Sequence, residues 1–87
     1  MTQDEEIRRG KKAQLVLEDE ILSSAILKLE IDQLGFFKHS KPDETAKRET
    51  AWCMLQAIEA LRQELIKIAD NGKIAQKAAE RAQQRLI

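Results

Sequence analysis

The chain contains no tyrosine, and it has one residue each of cysteine, histidine, proline and tryptophan. Each shortage removes a class of chemistry. Cys53 has no second thiol for an internal disulfide, and a Cys nucleophile needs a base that only the distant His39 offers. His39 stands between Lys38 and Lys41 with no second His or Cys at ligand spacing, so neither a metal site nor a catalytic dyad is expected there. We read it as a solvated loop residue, and Cys53, beside Trp52, as a buried or half-buried inert thiol. Three glycines provide no phosphate-cradling loop. No stretch approaches the 18 apolar residues of a membrane span. The opening "MTQDEEIRRGKK" is charged where a signal peptide is apolar, so a soluble chain made inside a cell is expected.

Net charge is also lacking, with 15 basic against 15 acidic residues, so no overall field draws the chain to nucleic acid or to an anionic membrane. The distribution is uneven. Residues 1–35 hold 5 basic and 8 acidic groups, whereas 73–87 hold 4 and 1. Carboxylates at Asp4, Glu5, Glu6 and at Glu18, Asp19, Glu20 lack the Glu-x-x-His pairs of di-metal bundles, and we read them as solvated faces and helix-dipole partners. No catalytic, cofactor-binding or metal residue is therefore assigned, and the expectation is a non-enzymatic protein that carries no cofactor.

What is present is the composition of long helices. Ala, Leu, Ile, Glu, Lys, Arg and Gln dominate, and aromatics are 3%. The length of 87 residues allows one domain, 1–87, and a chain this short buries only about 60 to 65% of its unfolded surface. Extra burial from a partner is expected to help.

Two interruptions divide the helical pattern, "LGFFKHSKP" at 34–42 and "DNG" at 70–72. Gly35 suits the C′ position of a first helix over 4–34, because it takes positive φ freely. Ser40, Pro42 and Asp43 suit the start of a second helix over 42–70, with the turn at 35–41. Asn71-Gly72 is expected to end or bend it, leaving a short third helix over 73–86. A connection this short makes the flanking helices antiparallel neighbours, so the expected fold is an all-α antiparallel helical hairpin.

The second helix repeats Ala51, Met54, Ile58, Leu61, Leu65 and Ile68 at steps of three and four, a heptad seam that Leu55 and Ala69 widen. The first helix carries three apolar stripes: Leu15, Leu22, Ile26 and Leu29; Leu17, Ile21 and Ala25; and Val16, Leu27, Ile31 and Leu34. A break near Asp19, a suitable N-cap, would reset this phase and give two shorter helices one apolar face each. Otherwise the first helix needs more than one neighbour.

Leu15, Leu22, Ile26, Leu29, Ile58, Leu61 and Leu65 are expected to form the inner seam. Val16, Leu27, Ile31, Phe36 and Phe37 are the candidate protein interface, the two rings alternatively plugging the turn against Trp52. Burying five or six further Leu or Ile side chains contributes about 10 kcal/mol before association costs. Ile31→Glu is expected to dissociate such a complex without unfolding the hairpin. Lys73, Lys77, Arg81 and Arg85 recur every fourth residue as an edge able to meet acidic partners or phosphates, although neither they nor the cluster Arg8, Arg9, Lys11, Lys12 is interleaved with stacking aromatics.

Gly10, "LVLED" at 15–19, Asp43, "RETAW" at 48–52, Leu55, "ALRQEL" at 60–65 and "NGKIA" at 71–75 together resemble a family of small, mostly uncharacterised tailed-bacteriophage proteins, often encoded near head and connector genes. The likeness covers about residues 8–76, and members of that family often have Asn-Pro where this chain has Asp19-Glu20. The resemblance implies a virion or the cytoplasm of an infected host, and transfers no catalytic residue. The expected function is that of a phage structural or assembly protein acting through helical faces, as a homo-oligomer or on a larger phage or host protein. Two alternatives use the same features: an inhibitor docking on a host protein, and a DNA-handling accessory using the basic tail.

Overall fold

The computed structural model describes Met1–Leu86 and is all-helical, with three helices: α1 (Gln3–Glu18), α2 (Glu20–Lys38) and α3 (Thr45–Arg85). No strand occurs among the described residues. The helices begin where side chains satisfy free backbone donors. Thr2 Oγ1 accepts from the Glu5 N–H at 3.2 Å, and Asp4, Glu5 and Glu6 fill the first turn of α1. Asp19, with extended backbone (φ −66°, ψ 121°), caps α2 by accepting the Leu22 N–H at 2.8 Å.

Three sequence expectations about boundaries are corrected. Gly35 does not terminate a helix: α2 runs on to Lys38, no glycine has positive φ, and the C-cap is His39, whose N–H donates to the Gly35 carbonyl at 2.9 Å. The helix after the connector starts at Thr45 rather than at 42. Pro42 and Asp43 instead occupy a turn in which the Glu44 N–H donates to the Lys41 carbonyl at 2.9 Å, and proline is favoured at that second turn position. Asn71-Gly72 neither ends nor separates anything. The helix α3 passes through it, so 73–86 is not a third element of its own.

Arg48 explains why the connector is held so. Its guanidinium donates to Ser40 Oγ at 3.1 Å, to the Lys41 carbonyl at 2.6 Å and to the Pro42 carbonyl at 3.1 Å. Ser40, expected as an N-cap, spends its hydroxyl on the Phe37 carbonyl at 2.8 Å. Glu44 pairs with Lys47 and accepts the Lys41 N–H at 2.9 Å, and these bonds, the Lys47 one foremost, hold its carboxyl below the ordinary glutamate pKa.

The chain divides into two units. One comprises Met1–Glu18 with the chain from Gln63 onward, and the other Asp19–Arg62. In the first, α1 and the later part of α3 meet through small residues. Gly10 and Ala13 are buried on α1, and Ala69, Gly72 and Ala75 on α3. A Cβ at Gly10 would lie 2.6 Å from the Gly72 Cα, and one at Gly72 would lie 2.9 Å from the Glu6 carbonyl oxygen. Only glycine allows two helix backbones so close.

In the second unit Ala51 and Ile58 of α3 are buried, one heptad apart. Leu22, Ile26, Glu30 and Gln33 on α2, and Leu55 and Arg62 on α3, are half-buried. Arg62 donates to Glu30 at 2.6 Å and to Glu59 at 2.6 Å, which raises the guanidinium pKa, chiefly through the Glu30 bond. Among the described residues, four of the five buried hydrophobic ones are alanines, and Ile58 is the exception.

Candidate protein-interaction surface

Helix α2 is rich in large apolar residues, and not one of its residues is buried. Its apolar side chains fall into groups by what they meet. Leu22 and Ile26 are half-covered, in phase with Glu30, which reaches Arg62. Ile21, Leu27, Leu29, Ile31, Leu34, Phe36 and Phe37 all stay exposed. A helix whose stripes exceed what its neighbour covers leaves the remainder in water.

Every residue named as an interface candidate is exposed: Val16 on α1, and Leu27, Ile31, Phe36 and Phe37 on α2. Phe36 is 62% and Trp52 57% exposed, so the rings do not plug the turn. Cys53 is likewise exposed rather than buried. The inner seam is corrected too. Leu15, Leu29 and Leu61 are exposed, and so is Met54, whereas Leu22, Ile26 and Leu65 are half-buried and Ile58 buried. Helical period alone assigns these leucines to a stripe, but which stripe finds a neighbour depends on the other helices.

The exposed residues at the connector end of α2 border an open groove of about 820 Å³ within the Asp19–Arg62 unit. Ile31, Phe36 and Met54 supply apolar walls, and Asp32, His39 and Lys47 lie among the polar lining. Drug-sized ligand pockets fall in this range of volume, but they enclose most of the ligand, and this groove is more open than enclosed.

Lys73, Lys77, Arg81 and Arg85 are all exposed on the last part of α3. Glu80 lies among them and accepts from Gln76 at 3.5 Å. His39 is exposed at the end of α2. Among the described residues no group of three His, Cys, Asp or Glu side chains is placed to hold a metal ion, and no helix is long and apolar enough to cross a membrane.

Sequence reading missed Trp52 and Leu34 as surface residues. For Leu34 the signal was available, because it shares the stripe of Leu27 and Ile31. No protein-family model, curated protein or solved structure matches the chain.

Proposed function

We propose that this chain is a non-enzymatic assembly protein that binds other protein through α2. In this reading α2 and the first part of α3 form an antiparallel helical hairpin, Asp19 separates α2 from α1, and the outer side of α2 is offered to a partner. The short connector 39–44 and the Glu30–Arg62 ion pair support the hairpin.

One observation carries the proposal: the helix densest in large apolar side chains, nine in 19 residues, buries none of them. A core built mainly from alanines leaves much of the available burial to association.

The resemblance to small tailed-phage proteins supplies the setting, a virion or the infected host's cytoplasm, and makes a structural or assembly role the leading reading. Mass spectrometry of purified particles and of their assembly intermediates tests it. The chain should be present, and chemical crosslinks to neighbouring proteins should cluster on α2 around Leu27–Phe37. Absence from particles and intermediates alike overturns the assembly role.

A further inference from the structure

Resting on the reading of α2 as an interface, we infer that its partner is a second copy of this chain, whose α2 lies antiparallel to the first across a two-fold axis. The residues Glu20, Ser24, Leu27, Ile31, Leu34 and Lys38 follow one another at steps of four and three, the spacing of a helix–helix seam. All six are exposed. The half-covered line of α2 runs instead through Leu22, Ile26 and Glu30, so the seam is not used within the chain.

The seam is apolar at its centre and oppositely charged at its ends, Glu20 at the start of α2 and Lys38 in its last turn. These charges suit the dipole of their own helix, and they also fix the direction of pairing. A two-fold axis level with Leu29 sets Leu27 opposite the second copy's Ile31, Ser24 opposite its Leu34 and Glu20 opposite its Lys38, each contact occurring twice. Parallel pairing sets glutamate on glutamate and lysine on lysine.

Ser24 fits its place. Its hydroxyl already lies against the carbonyls of Glu20 at 2.7 Å and Ile21 at 3.1 Å, so covering it orphans no donor. Its small side chain leaves room for the opposing Leu34. The paired helices, each of 19 residues, run alongside for about 28 Å. A pattern that is complementary to itself under a two-fold rotation identifies the occupant as another copy rather than as an unrelated protein.

Sedimentation velocity and light scattering on the full chain test this, with circular dichroism as a check on helix content. The wild type should reach twice the mass of one 10.0 kDa chain as concentration rises. Ile31→Glu should return it to monomer with helicity kept. Glu20→Lys and Lys38→Glu should each weaken the dimer about tenfold. An equimolar mixture of these two variants should restore wild-type affinity, because each lysine then faces a glutamate, while the helix dipoles that the substitutions disturb are not repaired by mixing. The double variant Glu20→Lys/Lys38→Glu should also pair.

Single charge variants that dimerise as tightly as wild type overturn the antiparallel register, as does a mixture that fails to recover. A wild type that stays monomeric at all concentrations overturns the second copy as the partner, and leaves α2 as an interface to be decided by the particle crosslinks. A dimer that survives Ile31→Glu overturns both the register and the use of this face for self-association.

Discussion

Replacing Gly10 and Gly35 by alanine, one at a time, separates tertiary packing from local propensity, because both glycines lie inside helices and gain the same intrinsic preference. In an open helix position Gly→Ala stabilises by about 0.5–1 kcal/mol. At Gly35 a Cβ meets nothing within 4 Å, so this gain should appear undiminished. At Gly10 the new Cβ would lie 2.6 Å from the Gly72 Cα, 3.2 Å from the Gly72 nitrogen and 3.2 Å from the Ile68 carbonyl oxygen. Carbon atoms settle at about 3.5–4.0 Å, so α1 and α3 must part there by roughly 1 Å. All three obstacles are backbone atoms and cannot rotate away. Overpacking of this kind costs about 1–3 kcal/mol, and parting the helices also loosens the alanines on either side, Ala13, Ala69 and Ala75. The net expectation is a loss of about 1–2 kcal/mol for Gly10→Ala. Urea unfolding followed by circular dichroism, at one fixed chain concentration because association shifts apparent stability, measures both variants. For a chain of this size 1 kcal/mol moves Tm by about 4–8 °C, so the two should shift in opposite directions and be readily resolved. Equal stabilisation by both substitutions refutes the close approach of Gly10 to Gly72.

Three further outcomes are expected. Asp19→Ala removes the cap on Leu22 and should cost about 1 kcal/mol, with Asp19→Asn close to wild type, as thermal unfolding can show. Arg48→Ala leaves the Lys41 and Pro42 carbonyls without their guanidinium donor, so amide exchange should quicken across 39–44 while the Gly10–Gly72 region keeps its protection. Because the folded chain holds the Glu44 carboxyl below its ordinary pKa, its contribution is present above the usual glutamate range and is lost as pH falls through the lowered value. A carboxyl-detected NMR titration should find Glu44 titrating below an exposed glutamate, and Lys47→Met should move it back upward.

Helix content was legible because it rests on local terms. With few glycines, one proline and an excess of Ala, Leu, Glu, Lys and Arg, nearly every window favours a helix whatever surrounds it. The surplus of apolar stripes was equally legible from helical period. The structure leaves Val16 of α1 and Leu27, Ile31, Phe36 and Phe37 of α2 in water, where no neighbouring helix covers them. The boundaries were not legible from the same rules. Pro42 and Gly35 obey local preferences that permit two outcomes each, helix start or turn, helix end or helix interior. Hydrogen bonds from Arg48, beyond the turn, hold the connector residues on the turn side.

Amino-acid composition and periodicity determined that this chain is helical and that it carries more apolar surface than one neighbouring helix covers, since both depend on residues within a few turns of one another. Tertiary structure alone decided what the glycines and leucines are for. Gly72, which by local preference ends a helix, lies inside α3, where its missing side chain admits the close approach of Gly10 from far away along the chain. Leu15, Leu29 and Leu61 sit at seam spacing yet face water, because a stripe is buried only where another helix arrives to cover it.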